Sequence, residues 1–224
     1  MNSGFKFATS RRFAPLFGTQ FLGALNDNLF KIALATMISF YGLGQNGLIE
    51  PAQMINVSAL LFVLPFFLFS ALSGQLCNKY DRGRMAVVVK VAEVLIMMLA
   101  TVGFLIQSLW LLLLCIFLMG LQSTLFGPLK YAVLPDYLDS KELIVGNSLI
   151  ESGTFLAILF GQIMGTILGG IGGVAVSVFL LLIAVGGLVA SIFMPRVAPK
   201  TPDAEIDWHI RSQLENHPET SLCR

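Results

Sequence analysis

Six ionisable side chains interrupt the long apolar runs of this sequence: Asp27, Lys31, Lys90, Glu93, Lys130 and Glu151. If those runs cross a membrane, each charge costs a few kcal/mol to bury, so each marks a site of function or a deliberate pair. Asp27 is the sharpest case. It lies about fourteen residues into the first run, roughly 21 Å along a helix, near mid-membrane. Gln20, Gly23, Asp27 and Lys31 recur every three or four residues and share one helix face, flanked by Asn26 and Asn28. Lipid cannot satisfy such a stripe, so it faces a cavity or a partner helix. The competing reading is a structural Asp27–Lys31 pair at i,i+4.

The remaining charges each have two readings. Glu93 and Glu151 lie roughly 12 Å deep in the third and fifth runs, as gate or substrate contacts or as halves of structural pairs. Lys90, one turn from Glu93, pairs with it or snorkels to the surface. Asn147 shares a face with Glu151 and joins the gating set. Lys130 either snorkels or meets an anionic head group, and Gln122 joins the cavity set.

Other chemistries find no support. Cys77, Cys115 and Cys223 are scattered without metal-site spacing, so no metal or cofactor is expected. A His with an Asp five residues on would suit acyl transfer, but His209 is followed at that distance by Leu214 and His217 by Leu222. Neither a nucleophile elbow nor a phosphate loop occurs, so the chain reads as a non-enzyme. Net charge is +1 and no basic stripe with interleaved aromatics appears, which argues against a nucleic-acid partner.

The elements that position these residues follow from composition. The chain is 56% hydrophobic and 12% charged, with mean hydropathy +0.81; soluble domains are about a quarter charged. Apolar runs long enough for the roughly 20 residues of a helical span recur along it, and none alternates with the period of a membrane barrel strand. The spans fall at 13–41, 54–76, 85–105, 109–134, 143–170 and 174–194. This predicts an all-α membrane protein with a six-helix domain over 1–194 and a segment at 195–224 outside it.

Loop cations set the orientation. Lys6, Arg11 and Arg12 precede span 1; Lys79, Arg82 and Arg84 lie between spans 2 and 3; Lys141 lies between spans 4 and 5; Arg196, Lys200 and Arg211 follow span 6. The other loops carry neither Lys nor Arg, so the cationic side, with both termini, is expected in the cytoplasm. Gly161, Gly165, Gly169 and Gly173 recur every fourth residue, which permits close helix contact. Spans 2 and 6 lack ionisable groups and read as scaffold or lipid-facing helices, with a kink expected at Pro65. In the tail, Ile206, Ile210 and Leu214 read either as a short amphipathic surface helix or as part of a solvated linker.

Three segments carry a resemblance. Gly74-Gln75-Leu76-Cys77-Asn78-Lys79-Tyr80-Asp81-Arg82-Gly83-Arg84 resembles the signature between helices 2 and 3 of the major facilitator superfamily, although Asn78 stands at its acidic position. That resemblance implies gating roles for Asp81, Arg82 and Arg84. Phe21-Leu22-Gly23-Ala24-Leu25-Asn26-Asp27-Asn28, and Phe126-Gly127-Pro128-Leu129-Lys130-Tyr131-Ala132-Val133-Leu134-Pro135, resemble the bacterial lysophospholipid transporter family. Gly146-Asn147-Ser148-Leu149-Ile150-Glu151-Ser152-Gly153-Thr154 fits as well.

The resemblance implies the amino-terminal six-helix half of a twelve-helix transporter in a bacterial inner membrane. The implied substrate is lysophospholipid, chiefly lysophosphatidylethanolamine, moved for re-acylation. The implied partners are membrane lipid, a second six-helix half, and an acyltransferase and acyl-ACP synthetase domain in some relatives. On this reading the chain is a partial protein. Two alternatives stand beside it: a proton-coupled facilitator for a small solute or drug, and an inactive half-transporter.

Overall fold

The computed structural model describes residues 6–43 and 50–197. After a short 3-10 turn at Lys6–Thr9 come α1 (Ala14–Tyr41), α2 (Pro51–Lys79), α3 (Arg82–Leu105), α4 (Leu109–Tyr137), α5 (Leu143–Ile171) and α6 (Gly173–Ile192). Each of the six is long and apolar enough to cross a bilayer. Among the described residues no strand occurs.

Local chemistry sets several boundaries. Pro15 and Pro51 occupy the first turns of α1 and α2, where a missing N–H costs nothing. Asp81 caps α3 by accepting the Arg84 N–H at 2.8 Å. Gly42, at φ 65°, closes α1 in the left-handed conformation that glycine adopts without penalty. Helix α2 extends past the apolar run at both ends, to Pro51 and Lys79, and α4 continues to Tyr137. Backbone bonding carries a helix beyond its membrane-buried part. Helix α6 stops at Ile192, before Met194. The surface helix expected around Ile206, Ile210 and Leu214 lies outside the described residues.

Glycine governs the packing of α5 on α1. A Cβ at Gly161, Gly165 or Gly169 would lie 2.8, 2.7 or 3.0 Å from the carbonyl oxygens of Leu25, Leu29 and Ala33. The two backbones therefore meet at a separation that no larger residue permits. Gly173, the next in the series, instead faces Phe104 of α3. Gly120 brings α4 against the α2 backbone at Phe62 in the same way.

The apolar interior forms two clusters. One, around Leu29, Phe30, Met97, Phe104, Ile116 and Leu180, joins α1, α3, α4 and α6. The other, around Phe13, Leu16, Val89, Leu129, Val133 and Ile150, closes one end of the bundle. Large apolar side chains also cover the outside, among them Phe67, Val88, Phe155, Ile163 and Leu182. Water would not tolerate so continuous an apolar surface, whereas lipid solvates it. The chain is a multi-pass membrane protein.

The ends of the bundle are distinct. At one, Arg82 pairs with Asp136, the Tyr137 hydroxyl donates to the Pro195 carbonyl at 2.5 Å, and Arg12 lies 3.9 Å from Glu142. The start of α1, the α2–α3 and α4–α5 turns and the end of α6 are thus gathered there. At the other, the Tyr41 hydroxyl donates to the Gly170 carbonyl.

Candidate functional site

The polar face of α1 opens onto a cavity of about 250 Å³. Helix α1 contributes Gln20, Gly23, Asp27, Asn28 and Lys31; α4 contributes Gln122, Ser123, Phe126 and Lys130. Thr154 and Ile158 come from α5, Lys90 from α3, and Phe62 and Phe66 from α2. Helix α2 is therefore more than scaffold. Its apolar run at 54–76 lacks charge but supplies an aromatic wall beside the charged one.

Asp27 receives a hydrogen bond from the Ser123 hydroxyl to Oδ2 at 2.7 Å, and its buried Oδ1 has no partner among the described residues. The i,i+4 pair with Lys31 does not form: none of the ion pairs among the described residues joins them. The Lys31 ammonium lies instead over the Phe62 ring, 4.2 Å from its centroid. That cation–π contact holds the ammonium at the cavity wall without neutralising it. Asn28 turns back on its own helix, donating to the Ala24 carbonyl at 2.8 Å. Gln20 ties α1 to α5 through Thr154 Oγ1 at 3.0 Å.

Behind this wall lies a hydrogen-bonded network, in which Asn26 Oδ1 lacks a partner among the described residues. Lys90 and Glu93 are each 1% exposed and pair at 2.5 Å, so Lys90 does not snorkel. Glu93 also accepts from Asn26 Nδ2 at 3.0 Å and Gln122 Nε2 at 3.1 Å. The Ser123 hydroxyl, 2.7 Å from Asp27 Oδ2 and 3.2 Å from Gln122 Oε1, has one proton to donate to either. Glu93 thus sits among α1, α3 and α4 with both carboxylate oxygens bonded.

A second ion pair lies at the cavity edge. Lys130 Nζ is 3.3 Å from Glu151 Oε1, and the Tyr131 hydroxyl donates to the same oxygen at 2.7 Å. These residues bridge α4 and α5. Asn147, one turn before Glu151, is exposed and does not line this cavity.

The turn residues separate by role. Arg82 is fully buried: it pairs with Asp136 and donates to the carbonyls of Ala132 (3.0 Å) and Cys77 (3.3 Å). Asp81 caps α3, and Arg84 is exposed. Sequence reasoning missed Asp136, which lies two residues past the expected end of span 4. It also missed Ser123, Thr154, Phe62 and Phe66, which are ordinary residues of a membrane helix. The one available signal for Ser123 was its position beside Gln122.

The charges around the cavity balance. Lys90 is neutralised by Glu93 and Lys130 by Glu151. One anion, Asp27, and one cation, Lys31, are left on the same wall without an ionic partner among the described residues. A site of that kind is complementary to a ligand carrying one charge of each sign.

The chain is 25% identical to the "Lysophospholipid transporter LplT" of Citrobacter koseri, over 92% of this chain and 48% of the relative. It is 28% identical to the protein of that name from Klebsiella pneumoniae subsp. pneumoniae, over 92% of this chain and 47% of the relative. The Salmonella arizonae protein is 25% identical over 88% and 46%. The chain thus spans about half the length of the curated relatives it matches. Residues 16–216 match the family pattern described as Major Facilitator Superfamily, and the chain belongs to that superfamily.

Proposed function

We propose that the chain forms one wall of a transport path for a zwitterionic lysophospholipid such as lysophosphatidylethanolamine. The observation that carries this reading is the unpaired Asp27 and Lys31 on a cavity wall whose other charges are already neutralised. The head-group ammonium pairs with Asp27, whose Oδ1 awaits a donor, and the phosphate pairs with Lys31. Phe62, Phe66 and Phe126 line the same cavity and offer apolar surface to the acyl chain. The names of the relatives support the cargo, and their greater length supports a second six-helix half as the opposite wall.

In this reading the end bearing Arg82, Asp136 and Pro195 faces the cytoplasm, because the loop cations collect there. The membrane is the bacterial inner membrane, and the delivered lipid is re-acylated by a separate or fused activity. Lys130 and Glu151, at the cavity edge between α4 and α5, open or close the path from that side. The test is uptake of lysophosphatidylethanolamine into vesicles bearing the Asp27→Asn transporter. A fall of about tenfold or more at equal expression is expected, since a charge-assisted bond contributes about that much. Undiminished uptake, or full competition by small polar solutes, contradicts the reading.

A further inference from the structure

Lys90 lines the same cavity as Asp27, yet the two are not ion-paired. Its ammonium lies 2.6 Å from the point where a Cβ on Gly23 would stand, and Gly23 shares the helix face of Asp27 one turn away. A cation so placed competes with any ligand ammonium for the aspartate. Glu93 prevents this. It holds Lys90 Nζ at 2.5 Å, and is itself fixed by Asn26 and Gln122. Gly23 and Gly187 leave space for the lysine between α1 and α6, and a side chain at Gly23 would shift its ammonium.

We infer that Glu93 is a specificity-determining positioning residue: it sequesters Lys90 and so keeps Asp27 available to a ligand ammonium. The inference rests on the proposed lysolipid reading. It adds that the buried Lys90–Glu93 pair sets head-group preference without touching the ligand. A purely structural pair would leave that preference unchanged.

The experiment is binding of two lysolipids to the full chain in lipid nanodiscs. One is lysophosphatidylethanolamine, with an ammonium; the other is lysophosphatidylglycerol, without one. In Glu93→Gln, Lys90 is released toward Asp27, and affinity for the ethanolamine lipid falls about tenfold or more while that for the glycerol lipid does not fall. Adding Lys90→Met removes the competitor, and ethanolamine binding returns most of the way. Equal losses for both lipids in Glu93→Gln, or no return in the double variant, overturn the inference. Those outcomes leave the functional reading standing as long as wild type binds the ethanolamine lipid and Asp27→Asn does not. Absence of ethanolamine-lipid binding by wild type overturns both.

Discussion

Two charge arrangements lie side by side within this bundle, and they are built oppositely. Lys90 and Glu93 are buried among four helices, with their charges paired and both glutamate oxygens bonded. Asp27 and Lys31 face a cavity without an ionic partner or a donor to Asp27 Oδ1 among the described residues, and the ammonium rests on an aromatic face. A closed pair satisfies its own desolvation cost. An open one leaves that cost to be offset by whatever binds. The contrast separates residues that hold the site from residues that use it, although all four are ionisable groups at membrane depth.

The largest effect is expected where the closed pair is broken. Glu93→Leu breaks the buried pair and should cost at most about 3–5 kcal/mol, reduced by whatever Lys90 regains at Asp27. A drop in thermal midpoint of the detergent-solubilised chain measures it. Lys90→Met combined with Glu93→Leu should recover most of that loss; additive losses would show that the pair is not a unit. The open residues should behave in reverse. Asp27→Asn is expected to leave the midpoint unchanged or raised while uptake falls about tenfold or more. A falling midpoint would make Asp27 a structural residue and erase the contrast.

Lys31→Gln should weaken binding in the same sense but less, because the ring of Phe62 and the ligand share its charge. Binding of a phosphate-free lipid amine separates the two, since it should respond to Asp27→Asn and not to Lys31→Gln. The peripheral pair comes last. The Glu151 side chain is 37% exposed, so Glu151→Gln should change stability by less than about 1 kcal/mol. Asn147→Ala, on an exposed side chain, should fall within about 0.5 kcal/mol of wild type.

What the sequence made legible follows the same division. Helices were readable because an apolar run of bilayer length has few alternatives, and the Gly161–Gly165–Gly169 series because small residues at fourth positions have a packing consequence. Asp27 stood out because a carboxylate in an apolar run is costly. Its partnership did not. The i,i+4 spacing offered Lys31 as counter-ion, but the space between α1 and α2 places that ammonium over Phe62 instead. The partners from other helices were silent, because Ser123, Thr154 and Phe62 cost nothing in a membrane helix and carry no periodic signal. Lys130 and Glu151 sit near the same end of neighbouring spans, a cue to their pairing that spacing along either span alone does not give. Asp136 escaped because the apolar run ends at Leu134 while the helix continues to Tyr137.

The central claim is that a lysolipid head group occupies the α1 cavity, and photocrosslinking tests it most directly. Lysophosphatidylethanolamine with a photoreactive group on its head should label peptides from α1 around Asp27 and from α4 around Ser123, and excess unlabelled lipid should abolish that labelling. Labelling confined to lipid-facing residues such as Leu182 of α6, or unaffected by competitor, would contradict the account.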